Sequence, residues 1–192
     1  MKKDLKKISN SKLYKFGKLK SFKEQINDFE NKLLPSGVEL IVSNNSNFLK
    51  YAKVNNNPII IFQGKINKIK LKHSTINKII ILNLDNYLKN SVLAMDSLTN
   101  NNAKVIVLNK NNVLGNPIIV IIHLNKSNAK IKINEITSIY DKKEFQNFIN
   151  KTGENGKNIY TNEKTEKWLL RNGLQLPTRF TNNSVLEKRI PQ

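Results

Sequence analysis

The stretch Lys104-Val-Ile-Val-Leu-Asn-Lys-Asn-Asn-Val-Leu-Gly115-Asn-Pro-Ile-Ile-Val-Ile-Ile-His-Leu124 decides the fold. Two runs rich in β-branched residues, Lys104–Asn109 and Pro117–Leu124, flank a connection of asparagines with Gly115 near its end. β-branched side chains suit the pleated backbone of a strand, while Asn and Gly accept the positive φ of a tight reversal. The stretch therefore predicts a β-hairpin. Working outward, Ser91–Asp96 reads as a strand before it, and Ile133–Tyr140 as a strand after a further polar turn. Shorter strand candidates fall at Gly37–Ser43, Pro58–Phe62 and Asn158–Tyr160.

Helices surround this core. Leu19, Phe22, Ile26, Phe29 and Leu33 recur at spacings of three and four, predicting an amphipathic helix with Ser21 as N-cap and Pro35-Ser36-Gly37 as its stop. Asn47–Val54 reads as a short helix, and residues 75–90 hold helical pieces, with Ile79–Leu82 open between helix and strand. Asp141–Lys151 carries Phe145, Phe148 and Ile149 on one helical face, and Thr161 caps a further helix to Leu170 that ends at Asn172-Gly173, with Trp168 in the core. The expected class is α+β: N-terminal helices, then a four- to five-stranded, mainly antiparallel sheet with helices packed on one face. The expected organisation is a basic arm and amphipathic helix at 1–35, one domain at 36–180, and a polar tail at 181–192.

Lys, Asn and Ile supply 30, 32 and 24 of the 192 residues, the pattern that drift toward A and T codons produces, so their abundance says little. The charge says more. Thirty-three basic residues against 14 acidic ones give +19, an imbalance codon drift does not explain because Asp and Glu codons also tolerate A and T. Residues 1–20 alone carry eight lysines and one acid. A field of this sign draws polyanions, whether nucleic acid or an anionic lipid surface. The absence of cysteine excludes disulfides, Cys-ligated zinc and thiol catalysis. No apolar run approaches the ~18 residues that cross a bilayer. The five aspartates (Asp4, Asp28, Asp85, Asp96 and Asp141) are scattered, and His73 and His123 lie fifty positions apart, so no metal-ligand spacing is present. The expectation is chemistry without a cofactor or metal.

Against the monotonous background four polar spots stand out: Lys72-His73, Ser138-Ile139-Tyr140, Tyr160, and Gly173-Leu-Gln-Leu-Pro177. Ordered with Pro58-Ile-Ile-Ile, the hairpin, Ile136-Thr-Ser-Ile-Tyr140 and Ile159-Tyr-Thr-Asn-Glu-Lys164, they resemble the phage MuF C-terminal domain family, from about Pro58 to Pro177. That family is grouped with nuclease-like toxins of the barnase, EndoU, colicin and RelE type. The resemblance implies a phage- or mobile-element-derived, toxin-like domain that cleaves RNA, and the scattered acids make the expected cleavage metal-free. The alternative is a non-catalytic, head-associated or nucleic-acid-binding protein of the same fold. It implies RNA as a partner, an immunity or antitoxin protein as a second, and a bacterial cytoplasmic, phage-associated or target-cell location. Contact with an anionic membrane, through the basic arm and first helix, is a third reading.

Metal-free RNA cleavage uses the substrate's own 2′-hydroxyl and needs a base, an acid and donors for the phosphate. The resemblance places His73 in the site as acid or base. Ser138 and Tyr140, two apart on one strand, face the same way and could present two hydroxyls. Lys72, Tyr160, Gln175 and Arg179 are the expected substrate-binding residues. Each also has an ordinary structural reading: Tyr140 as a half-buried sheet-edge tyrosine, Gln175 as a turn residue, Arg179 as a surface charge. His123 reads as a sheet residue.

Overall fold

The hairpin forms where the sequence puts it. The computed structural model describes residues 20–43, 46–128 and 131–181. The basic arm, apart from Lys20, and the polar tail, apart from Thr181, lie outside these residues. In chain order the described elements are α1 (Phe22–Glu30), β1 (Glu39–Ser43), α2 (Asn47–Tyr51), β2 (Ile59–Phe62), α3 (Gln63–Lys72), α4 (Lys78–Leu82) and α5 (Leu84–Lys89). There follow β3 (Leu93–Asp96), β4 (Ala103–Asn111), β5 (Pro117–Asn128), β6 (Ile131–Asp141), α6 (Phe145–Glu154), β7 (Ile159–Thr161), α7 (Thr165–Arg171) and α8 (Thr178–Thr181). The β4–β5 reversal is held by Asn112, whose side-chain oxygen accepts from the N–H groups of Leu114 and Asn116, and Gly115 takes φ +82°.

The class is α+β, but the sheet is larger than expected. Seven strands run in the order β1-β2-β6-β5-β4-β3-β7. All neighbours are antiparallel except β2 and β6, which pair in parallel through Ile59↔Asn134 and Ile60↔Glu135. The meander β3–β4–β5–β6 brings β6 back beside β2, and β1 and β7 close the two edges. The short strand candidates at both ends of the domain thus join one sheet with the meander.

Helices also cover both faces rather than one. Ala94, Ile106, Leu108, Ile118, Val120 and Ile122 enter a large core with Phe22, Ile26, Leu49, Ile66, Ile81, Leu84 and Leu88 from α1 to α5. Alternate residues Leu93, Met95, Val105, Val107 and Ile119 enter a second core with Phe145, Ile149, Trp168 and Leu169 from α6 and α7. The run Val105-Ile-Val-Leu108 is buried at every position, the pattern of a strand covered on both sides. Each such side chain contributes about 1.5–3 kcal/mol of burial free energy.

Local signals explain most elements. Ser21 and Glu24 form a capping box at α1, each side chain bonding the other's backbone N–H. Phe22 and Ile26 are buried as expected, whereas α1 ends at Glu30 and Leu33 is exposed beyond it. Ile79–Leu82 resolves to helix, capped by the Asn77 side chain. The sequence reading misses α3. This helix has no side-chain cap, a glycine at its second position, and only Gln63, Ile66 and Ile69 buried, with Leu71 exposed.

Candidate active site on the face of β5 and β6

The site begins with an irregularity in β6. Ile121 pairs with Ser138 and Ile122 with Ile136, so Thr137 is an extra, unpaired residue. This bulge resets the alternation of β6. Ile136 and Ile139 both enter the large core, while Glu135, Ser138 and Tyr140 all turn to the opposite face. Across from them stand His123, Ile121 and Ile119, giving three opposed pairs: His123↔Glu135, Ile121↔Ser138 and Ile119↔Tyr140. Ile119 is buried beneath α6 and α7, but Ile121, His123, Glu135, Ser138 and Tyr140 remain partly open.

His73 reaches this face from the end of α3. It is the C-cap, its N–H donating to the carbonyl of Ile69, and its ring stacks on Tyr140 with centroids 5.6 Å apart and planes 26° from parallel. Asp141, at the end of β6, fixes the arrangement. One carboxylate oxygen accepts from the Thr75 hydroxyl and the other from the Asn116 side chain, tying the turn after His73 to both the sheet and the β4–β5 hairpin. Burial alone would raise the Asp141 carboxyl. The bonds from Thr75, Asn116 and its own backbone, with the nearby Lys143 charge, outweigh that and hold it below the usual carboxylate range.

Burial raises the Tyr140 phenol, so its hydroxyl stays protonated at neutral pH and can donate a hydrogen bond. Neither that hydroxyl nor the Ser138 hydroxyl makes a hydrogen bond among the described residues. His123 is shifted downward, chiefly by burial, then by Lys126; opposite Glu135 pulls it up and Lys65 pushes it down. Its imidazole is neutral at pH 7 and able to accept a proton. Lys72 is exposed in the last turn of α3 beside His73. Together with Lys65, Lys126 and Lys143 it makes the surroundings positive. Among the described residues no three His, Asp or Glu side chains gather as a cation site.

The comparisons with known proteins fall on this region. The family model of the phage MuF C-terminal domain matches residues 65–167, more than half of the chain. The chain belongs to that family. No curated protein and no solved structure matches it. The matched part of this MuF C-terminal domain runs from the first turn of α3 to α7, and so contains His73, His123, Glu135, Ser138 and Tyr140. Gln175 and Arg179 lie beyond it.

The expected site residues part company. His73, Ser138 and Tyr140 come together, with Lys72 at their edge. Tyr160 does not join them. It sits on β7, four strand spacings from β6, roughly 19 Å away, and turns into the large core on the other face. There it is 7% exposed, accepts a hydrogen bond from Lys104 and meets Tyr51 edge-on. Gln175 is exposed, and only its backbone is engaged, exchanging two bonds with the Gln146 side chain. Leu174, Leu176 and Phe180 pack against the second core, so the Gly-Leu-Gln-Leu-Pro run docks the chain's end onto α6 and α7. A Cβ on Gly153 would lie 2.8 Å from Pro177, which gives that glycine its reason. Arg179 donates to the carbonyl of Lys157 and lies over Phe180. Separately, a polar groove of ≈ 260 Å³ lined by Asn109, Lys110, Asn111, Arg171 and Asn172 is bridged by its own Asn111–Asn172 and Arg171–Asn109 bonds.

His123 and Glu135 are what sequence reading left out. Only register could have found them: His123 shares strand parity with Ile119 and Ile121, but the Thr137 bulge that aligns Glu135 with Ser138 leaves no mark in the sequence pattern.

Proposed function

We propose that this domain cleaves RNA without a metal, at the open face of β5 and β6. The observation that carries the reading is the His73 ring stacked on Tyr140, beside Ser138, on a lysine-rich face. In the reaction the 2′-oxygen of a nucleotide bonds to the adjacent phosphorus while the P–O5′ bond breaks. The products are a 2′,3′-cyclic phosphate and a 5′-hydroxyl, with one proton taken from the 2′-hydroxyl and one given to the leaving oxygen. His73 handles one of these protons. Ser138 and Tyr140 donate hydrogen bonds to the phosphate oxygens as charge builds on them, and Lys72 with its neighbours holds the strand. A net charge of +19 supports the polyanion, and membership of a phage-derived family supports a mobile-element setting.

An RNA oligonucleotide incubated in EDTA tests this. Wild type is expected to cut it, to leave an all-deoxy version intact, and to slow by about 10²-fold or more in His73→Ala. Salt-sensitive binding with no turnover by wild type would instead establish the non-catalytic, nucleic-acid-binding role of the same face.

A further inference from the structure

We infer that His123 is the second proton carrier of this face, the group that takes the 2′-hydroxyl proton, with Glu135 as its positioning partner. This rests on the ribonuclease reading above and completes it, since His73 supplies only one of the two proton transfers.

The geometry comes from register. His123 and Glu135 stand directly opposite on β5 and β6. Opposed residues of an antiparallel pair hold their Cβ atoms about 5 Å apart. Ser138 is the diagonal neighbour of His123, about 7–8 Å away. Tyr140 lies about 7 Å from Ser138 on the other side along β6. A phosphate above Ser138 therefore has His123 on one flank and Tyr140, with the stacked His73, on the other. Side chains of this length cover the remaining distance. The bulge at Thr137 makes the arrangement: with regular pairing through β6, Ser138 and Tyr140 would face away from Glu135.

The charges facing His123 suit it to the base role. Lys126 from β5 and Lys65 from α3 disfavour the imidazolium, and Glu135 from β6 favours it. The base must be neutral before it acts; burial is the main influence that keeps it so, with Lys126 and Lys65 adding to it against the pull of Glu135. In the step, neutral His123 accepts the 2′-hydroxyl proton and becomes imidazolium as the 2′-oxygen–phosphorus bond forms. The P–O5′ bond breaks, and the leaving oxygen takes its proton from His73. Glu135 balances the charge created on His123.

The test is the pH–rate profile of RNA cleavage in EDTA for wild type, His123→Gln, Glu135→Gln and Lys126→Gln, with circular dichroism to establish that each is folded. His123→Gln keeps the bulk of the side chain and is expected to lose about 10²-fold or more at the pH optimum. For wild type the rate rises with pH through the His123 titration. Removing the Glu135 charge lowers that titration, so the rising limb moves to lower pH. Removing the Lys126 charge moves it to higher pH. A strand residue of merely structural importance would shift neither limb. An NMR titration of the His123 ring should give the same midpoint as the limb in each protein. Cleavage by His123→Gln within about threefold of wild type, with His73→Ala still inactive, overturns the role of His123 and leaves the ribonuclease reading standing. Wild type that leaves RNA intact overturns both.

Discussion

Two tyrosines of this domain, Tyr140 and Tyr160, look alike in the sequence and live in opposite circumstances. Tyr160 belongs to a satisfied polar cluster that runs from the large core out to exposed Asn158. Lys104, 6% exposed, donates to its hydroxyl, lies 4.6 Å from its ring centre, and pairs with Asp96. Asp96 is further bonded by the backbone and side chain of Asn158. Every polar tip there is answered from within the protein. Tyr140 sits on the other face, half-open, stacked on a histidine, with its hydroxyl and that of Ser138 unclaimed among the described residues. A satisfied network holds a fold together. An unsatisfied, partly exposed one is free to meet a ligand.

The largest expected effect breaks the satisfied cluster. Lys104→Ala removes the ion pair of the partly exposed Asp96, leaving it only the Asn158 bonds, and should cost about 1.5–3 kcal/mol of stability, measured by urea unfolding, with no loss of specific activity in the folded fraction. The same cluster predicts a pH dependence. Burial, the strongest single influence, pushes Asp96 up, but the bonds from Lys104 and Asn158 bring it below its ordinary value. Its folded carboxyl thus titrates below its unfolded one, so the unfolded chain binds more protons between the two. The stabilisation is present above the unfolded value of about 3.9 and is lost as pH falls through the folded one. Lys104→Ala should flatten that acid limb, and Asp141, shifted the same way, should preserve a part of it.

A middle effect sharpens the open side. Thr75→Val removes the hydroxyl that ties the turn after His73 to Asp141. It should cost about 1 kcal/mol of stability. Cleavage should slow by about tenfold because His73 loses its fixed place over Tyr140. The smallest expected effect on stability falls on Gln175. Gln175→Ala should change stability by less than about 0.5 kcal/mol, since only the backbone of that residue is held. An equal rate of cleavage by Gln175→Ala would leave the Gly-Leu-Gln-Leu-Pro run as a docking segment.

How much of this was legible in the sequence follows from which signals are local. The β4–β5 hairpin, the Ser21 cap of α1 and the family itself were readable because short-range chemistry writes them. The burial of Val105-Ile-Val-Leu108 on both faces was also written there, as an unbroken apolar run, yet the expected single helical layer did not use it. The parallel β2–β6 pairing joins residues some 75 positions apart and has no local signature. The candidate site was half legible. His73, Ser138 and Tyr140 stood out by rarity. Tyr160 stood out for the same reason, although it is a core residue whose partner Lys104 lies 56 positions away. His123 and Glu135 depend on a one-residue bulge, and a slip of one residue reverses which face a side chain takes.

The contrast between the two tyrosines also gives the most direct test of an active face on β5 and β6. Tyr140→Phe and Tyr160→Phe each remove one hydroxyl and keep the ring, and their rates of RNA cleavage in EDTA can be compared with wild type. Tyr140→Phe is expected to slow cleavage by about tenfold or more while keeping its stability. Tyr160→Phe should cleave within about twofold of wild type, and lose about 1 kcal/mol of stability as Lys104 loses an acceptor. Slower cleavage by Tyr160→Phe with Tyr140→Phe unchanged, or RNA left intact by wild type, would contradict the account.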